Sequence, residues 1–377
     1  MRLLMVSNKV KTYSQLYRNI IETLETLGHS VIWAADFSDF VADKSEIPCE
    51  LEQIPINTNP LNSDNRRAYT RLLSIIDDYK VEGVLCSTPI GGTLARLAGK
   101  KKKLSPVLYE AHGFLFFKGA PLINRTVYKW HEKWLAHYTD ALVTITDEDY
   151  QAAQFFRIRS GKKPYYVHGA GITVGVHVNV DKHCKRKELG LDDNDFVIIS
   201  AGELNKNKNT KTIVKALGEL KGKNIHYIAC GVGSEKDNLV FLAKKLGVSE
   251  QFHLLGYRTD IVELMSISDV FVMPSFREGV PRSILEAMDL GLPCIGSNTR
   301  GIRDLIDVED GGYLCDPKSP ESFKNALIKL FENPSLRMKM GNYNREKAKQ
   351  YSSYVVRNEL KQIYTEVFGI GKRILHE

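Results

Sequence analysis

Nowhere does the chain carry the run of about 20 apolar residues that a membrane-spanning helix needs, and it has no low-complexity tract. Its first ten residues, MRLLMVSNKV, hold one Arg and then only a short apolar run, less than a secretory signal requires. Cysteine is sparse and scattered: Cys49, Cys86, Cys184, Cys230, Cys294 and Cys315 form no C-x-x-C pair. Neither a zinc site nor a disulfide framework is therefore expected, and the expected compartment is a reducing cytoplasm. Cys230 and Cys294 lie in apolar runs and read as small core residues. Acidic residues are almost missing from two stretches. Between Arg96 and Lys133, nine Lys and Arg face only Glu110 and Glu132, and Arg157 to Lys163 holds no acid. No nucleic-acid-binding module accompanies these basic stretches, so nucleic acid is not an expected partner. The first stretch, with Lys100 to Lys103, also holds Phe114, Phe116, Phe117, Tyr128, Trp130 and Trp134. That mixture suits either a solvated face or contact with an anionic membrane. The second reading implies a cytoplasmic protein held peripherally at the inner face of the cell membrane.

What is present is a rhythm. Over 377 residues, enough for two domains, short apolar runs alternate with longer amphipathic segments. Leu3–Val6, Val31–Ala34, Val84–Cys86, Val107–Tyr109, Leu142–Ile145 and Tyr165–Val167 read as strands. Leu16, Ile20, Ile21, Leu24 and Leu27 recur at helical spacing after Ser14 and stop at Gly28. Asp147 with Tyr150 to Phe156 reads as another helix. The rhythm restarts at Phe196–Ala201 and continues through His226–Cys230, His253–Leu255, Val270–Met273 and Cys294–Gly296. Such alternation calls for parallel sheets covered on both faces. The predicted fold class is α/β with two doubly wound, Rossmann-like domains. Residues 1–170 would form the first and 171–352 the second, with a helix in 353–377 packing back on the first. Ligands of such sheets bind beyond the carboxyl ends of the strands, so the cleft between the domains is the expected site.

The most informative stretch is Pro274-Ser275-Phe276-Arg277-Glu278-Gly279-Val280-Pro281-Arg282-Ser283-Ile284-Leu285-Glu286-Ala287-Met288. It leaves an apolar strand and passes through Gly and Pro into a helix, whose first N–H groups have no intrahelical acceptor and suit a phosphate. Glu278 in the loop and Glu286 on the helix could accept bonds from hydroxyls. Two isolated Glu residues read as well as an ordinary turn and an ordinary helix position. Gly231-x-Gly233 is too short to read as a nucleotide loop and more simply lets a strand turn into a helix.

The E-x7-E spacing, with Gly279-Val280-Pro281 after the first Glu and Glu286-Ala287-Met288 at the second, resembles the donor-site motif of retaining glycosyltransferases of family 4. Gly202-Glu203-Leu204-Asn205-Lys206-Asn207-Lys208-Asn209 is similar to that family's loop after the first strand of its C-terminal domain. Asp269 to Ser275, Gly291 to Ile295 and the late turn Gly312-Tyr313-Leu314 match in order. In the N-terminal half, Ser87 to Gly92, Ala111-His112-Gly113-Phe114, Lys118 to Pro121, Tyr138 to Leu142 and Glu148-Asp149-Tyr150 resemble the branch that assembles bacterial capsule, exopolysaccharide and glycans.

The resemblance implies a GT-B fold with a cleft between facing domains, a UDP-sugar donor, no metal or other cofactor, and retention of anomeric configuration. The sugar would be a hexose or N-acetylhexosamine, and the acceptor a polysaccharide or a polyprenyl-diphosphate-linked glycan. A soluble small-molecule acceptor is the alternative, and an epimerase on the same fold a more distant one. Lys208 would bind the donor diphosphate, Glu286 the ribose hydroxyls and Glu278 the hydroxyls of the transferred sugar. Backbone N–H groups of Gly279, Val280 and Arg282, in the segment that Pro281 shapes without an N–H of its own, would cradle sugar and phosphate, and His112 would contact the donor sugar. Tyr257 and Arg258 would flank the uracil, with Glu203 and Asn209 in the donor loop. Arg303, beside Asp304, stands near the site or merely starts a helix. Four departures stand out. Glu203 replaces an Arg common in the family, with Arg282 or Arg303 as possible substitutes. Ser7-Asn8-Lys9-Val10 lacks the usual glycines, Ser87 stands where the branch often has His, and Thr173 to His183 does not match the usual Asp-containing turn.

Overall fold

The computed structural model describes residues 1–41, 43–176 and 179–371. The chain forms two compact units. One comprises Met1–Gly171 with Ser353–Glu377, and the other Ile172–Ser352; each is described by itself.

The first unit is built on strands β1 (Arg2–Lys9), β2 (Ser30–Asp36), β3 (Glu50–Gln53), β4 (Gly83–Ser87), β5 (Val107–Ala111), β6 (Ala141–Thr144) and β7 (Tyr165–Tyr166). They pair in parallel in the order β3-β2-β1-β4-β5-β6-β7. Successive side chains alternate between faces, and both faces are covered. Leu4 and Val6 of β1 enter one core cluster with Val84 and Tyr109, while Leu3 and Met5 enter the other with Trp33 and Leu85. The helix Ser353–Phe368 contributes Val356, Leu360, Ile363, Tyr364 and Phe368 to that second cluster. It crosses back to this unit because those five positions form its one apolar stripe.

The second unit holds β8 (Phe196–Ala201), β9 (Ile225–Cys230), β10 (Phe252–Gly256), β11 (Val270–Met273), β12 (Cys294–Ser297) and β13 (Gly312–Cys315). Their order is β10-β9-β8-β11-β12-β13, again parallel. Phe196 and Ile198 face one cluster, Val197 and Ile199 the other. Each fully buried Ile or Val removes apolar surface worth roughly 1.5–3 kcal/mol. Cys230 and Cys294 are buried as small core residues.

Several details differ from the sequence expectations. Gly312-Tyr313-Leu314 is strand rather than turn, pairing with β12 through Ile295↔Tyr313. β3 escaped notice because Glu-Leu-Glu-Gln at a sheet edge carries a single apolar residue. The helix opened by Asp147 stops at Ala153, short of Phe156, which turns into the core. Of the stretch Thr173 to His183, His177 and Val178 lie outside the described residues, as do the last six residues of the expected 353–377 tail. Beside the gap, the N–H groups of Gly175 and Val176 donate to the Asp289 carboxylate at 2.9 and 3.3 Å, so an aspartate from elsewhere in the chain serves this turn.

The basic and aromatic stretch is also not one surface. Arg96 is buried, paired with Glu132 at 2.9 Å and stacked 3.8 Å over the Tyr109 ring. Phe114 and Phe116 stack on each other inside the core. Lys100 donates to the Tyr138 hydroxyl at 2.7 Å, and Lys102 pairs with Asp77. An aromatic in a basic run can serve the core while its neighbours serve the surface, and the run alone does not separate the two.

Candidate active site

In the second unit the strand order reverses between β8 and β11, and two loops leave the carboxyl ends of those adjacent strands. Residues 202–210 follow β8, and residues 274–281 follow β11 and lead into the helix Arg282–Asp289. The loops are joined directly. Phe276 N–H donates to Asn207 O at 2.8 Å, and Asn207 Nδ2 donates to Arg277 O at 2.9 Å. The turn after β9 lies against the first loop through Gly202 N–H to Cys230 O and Leu204 N–H to Val232 O. Gly231 permits this approach, because a Cβ there would fall 1.8 Å from Gly202 O. That close contact, more than the strand-to-helix turn, explains the glycine.

Lys208 lays its stem along Gly202 and ends 2.8 Å from Glu278 Oε1, with the side chains 25% and 13% exposed. Asn205 Oδ1 accepts from Lys208 N–H and shapes the turn. The sheet thus brings together two of the predicted site residues that are 70 positions apart in sequence. Beyond Glu278 the chain passes Gly279, Val280 and Pro281, and Pro281 occupies the N-cap position of the helix without a side-chain cap. The N–H groups of Glu278, Gly279, Val280, Arg282 and Ser283 donate to no acceptor among the described residues. Unsatisfied amides at a helix start favour an anion. Gly301 supports this loop from behind. Its φ is +76°, and a Cβ would meet Gly279 O at 1.4 Å.

Glu286 lies one turn along the helix and accepts from Arg282 at 3.1 Å. Partial burial raises its carboxyl above the ordinary value, with Arg282 opposing the shift. Neither proposed substitute for the missing Arg is free: Arg282 serves Glu286, and Arg303 Nε donates to Asn298 Oδ1 at 2.8 Å. Arg303 sits in the short helix Ile302–Leu305, so its position is that of a helix start. Glu203 is exposed in the first loop. Tyr257 is exposed, and Arg258 grips Asp260 through two nitrogens in a network that includes Lys185. Asn209 requires a correction. It is buried with φ +55°, and its amide donates to Pro274 O at 3.0 Å and Pro317 O at 2.8 Å. With both amide hydrogens engaged, it braces the loop and has no donor left for a ligand.

In the first unit, His112 follows the end of β5, half-buried, with Nε2 3.5 Å from Glu110 Oε2. Glu110 is buried and accepts from the Tyr364 hydroxyl at 2.5 Å. Burial and this carboxylate hold the Tyr364 phenol well above its ordinary pKa, so it stays a donor. The sequence reading passed over Glu110 and Tyr364. The available signal was an acid inside the apolar run Val107-Leu108-Tyr109-Glu110-Ala111. In the glycine-poor loop after β1, Asn8 Oδ1 accepts from Thr88 Oγ1 at 2.8 Å and Gly91 N–H at 2.7 Å, capping the helix Pro89–Lys102. Among the described residues no group of three His, Cys, Asp or Glu could hold a metal ion, and no helix is long and apolar enough to cross a membrane.

Two doubly wound parallel sheets, one with unsatisfied amides at a helix start beside a partly exposed ion pair, define a paired Rossmann-like α/β class of protein. The sequence profile described as Glycosyl transferases group 1 matches residues 181–347, and that described as Glycosyltransferase Family 4 matches residues 14–163. The chain belongs to this glycosyltransferase family. It is 35% identical over 319 residues to a Bacillus subtilis (strain 168) protein assigned as glycosyltransferase EpsD, covering 83% of this chain and 84% of that one. It is 29% identical over 290 residues to the Escherichia coli UDP-Gal:alpha-D-GlcNAc-diphosphoundecaprenol alpha-1,3-galactosyltransferase, covering 73% of each. Among solved structures, Anabaena HepE in complex with UDP and glucose superimposes with a TM-score of 0.79 at 16% identity, over 97% of this chain and all of that one. That likeness shows the two-domain GT-B fold.

Proposed function

We propose that this glycosyltransferase transfers a hexose or N-acetylhexosamine from a UDP-sugar, with retention of anomeric configuration and without a metal, to a polysaccharide or a polyprenyl-diphosphate-linked glycan. The observation that carries the reading is the Lys208–Glu278 pair beside the unsatisfied amides of residues 278–283. An arriving diphosphate exchanges partners with this pair: its oxygens take Lys208 and the amides, and Glu278 is released to accept from sugar hydroxyls. Charge grows on the diphosphate as the bond to the anomeric carbon breaks, and donors already in position stabilise it without reorganising. Glu286 accepts from the ribose hydroxyls, and Tyr257 and Arg258 lie beside the base. In the first unit, His112 is the polar group proposed for the sugar substrate, its ring oriented by Glu110. The acceptor hydroxyl attacks from the face that UDP leaves, with no enzymatic nucleophile.

The E. coli relative, whose name specifies a UDP-sugar and a diphosphoundecaprenol acceptor, supports both the donor and the acceptor class. A polyprenyl-linked acceptor is membrane-bound, so the reading also calls for a cytoplasmic enzyme in peripheral contact with the inner leaflet. The test is thermal unfolding with nucleotides. UDP at 100 times its Kd should stabilise by about 2.7 kcal/mol, more than GDP, ADP or CDP, and EDTA should leave the effect in place. Preference for another base, or loss of the shift in EDTA, overturns the donor reading.

A further inference from the structure

The basic and aromatic stretch loses Arg96, Lys100, Lys102, Phe114 and Phe116 to internal contacts, and what remains outside is concentrated in 16 residues. The helical segments Asn124–Tyr128 and Lys129–Ala136 run on from one another. Over them and the residues just before, Leu122, Ile123, Val127 and Trp130 are 74%, 61%, 55% and 67% exposed. Four large apolar side chains within nine positions form a contiguous patch of the kind that monomers seldom leave in water. Their neighbours Lys118, Arg125, Lys129 and Lys133 are exposed as well, and Arg125, Lys129 and Lys133 make no ion pair among the described residues.

The acids have been turned away. Glu132 points inward to Arg96, and Glu148 accepts the backbone N–H of Lys118. An open hollow of about 350 Å³ lies between Phe116, Phe117, Lys118, Leu122, Arg125 and Lys129, giving an anionic group room among three cations, with Glu148 at its border. Trp130 stacks parallel to Trp134 at 6.5 Å, which fixes its ring before any contact is made.

We propose that residues 118–133 are the protein's docking element for an anionic lipid bilayer. Leu122, Ile123, Val127 and Trp130 enter the headgroup layer, and Lys118, Arg125, Lys129 and Lys133 meet the lipid charges. The charge argues for this occupant over a protein partner: four exposed cations, with Glu132 buried against Arg96 and Glu148 bonded to the Lys118 N–H, fit a uniformly anionic plane. Indole rings settle at headgroup depth, and helices with this division of faces lie in the interface. The proposal rests on the glycosyltransferase reading only for its purpose; the surface itself is carried by these residues.

The experiment is sedimentation of the full chain with vesicles of phosphatidylcholine and phosphatidylglycerol in equal parts, without donor or acceptor, so its outcome is independent of the UDP test. Binding is expected at low salt, with a blue shift of tryptophan emission that Trp130→Phe abolishes. Arg125→Gln/Lys129→Gln/Lys133→Gln should weaken binding about 10²-fold. Ile123→Ser/Trp130→Ser should weaken it at least 10-fold. All five positions are exposed, so the fold should persist, as circular dichroism will check. Lys101→Gln/Lys103→Gln, which removes charge elsewhere, should have less than a tenth of the triple variant's effect. No binding at low salt overturns the proposal, as does equal loss in the control. So does a lipid-free dimer that Ile123→Ser/Trp130→Ser dissociates, which would assign the patch to a second copy.

Discussion

The two sheets reverse their strand order at equivalent places, between β1 and β4 in one unit and between β8 and β11 in the other, yet they use the polar groups there differently. In the first unit those groups close the structure on itself. Asn8 caps a helix, Ser7 accepts from the Trp33 indole at 2.9 Å, and Arg96 with Glu132 forms a buried pair. In the second, Lys208 and Glu278 meet in reach of solvent beside amides that have no acceptor among the described residues. The second pair can part at little cost, because water reaches both partners and compensates them. The first cannot be opened without leaving a buried group unpaired. The same topology therefore yields a closed polar frame in one unit and, in the other, a partly exposed ion pair beside amides without an acceptor among the described residues.

The largest effect that would test this contrast is on stability. Glu132→Ala leaves the Arg96 guanidinium buried without its carboxylate, and breaking such a pair costs about 3–5 kcal/mol. Denaturant unfolding should show that loss; a change below about 1 kcal/mol would mean that water reaches Arg96 and that the frame is softer than its burial indicates. Next comes Lys208→Ala in the other unit. Its loss should lower transfer from a UDP-sugar by about 10²–10³-fold, the effect of removing one group that stabilises developing charge, while the melting temperature changes little. Near-normal turnover would remove Lys208 from the leaving-group role.

How much of this was legible depends on which forces were local. Strands buried on both faces appear as unbroken apolar runs, so Phe196–Ala201 and Val270–Met273 were readable to the residue. Glu50–Gln53 was not, because an edge strand needs no apolar run, and Gly312–Cys315 hid behind its glycine. At the site, the E-x7-E spacing singled out Glu278 and Glu286 and the loop motif singled out Lys208 as candidates, and the structure sets Lys208 against Glu278. That Lys208 already holds Glu278 could not be read, nor could Gly301 under Gly279 or Tyr364 on Glu110, since each joins segments far apart in sequence. Asn209 misled for the opposite reason: its place in a binding motif concealed a bracing role. Asn8 supplies a third test of the contrast. Asn8→Ala removes an acceptor from Thr88 and Gly91 and should cost about 1 kcal/mol, lowering the melting temperature while leaving the UDP-induced shift intact. A variant that keeps its stability and loses the UDP shift would place the loop after β1 in ligand binding instead.

The smallest effect concerns the ion pair on the helix of the second unit. Arg282 and Glu286 form an i,i+4 contact on a partly exposed face, worth a few tenths of a kcal/mol, so Arg282→Gln should barely change stability at neutral pH. Its signature is in the pH dependence. Burial raises the Glu286 carboxyl and Arg282 opposes that rise, so removing Arg282 lifts it further. The folded state then holds a proton more firmly than the unfolded chain does, and stability falls as pH rises from the ordinary glutamate value through the raised one. Donor binding has the opposite sign, because only the ionised carboxylate accepts from both ribose hydroxyls. It should be lost on acidification through the Glu286 pKa, and the variant should lose it at a higher pH than the parent. Calorimetric titration of UDP between pH 4 and 7 reads that midpoint directly. A midpoint that stays in place or moves to lower pH would show that another group controls donor binding, and Glu286 would then have to be withdrawn from the ribose.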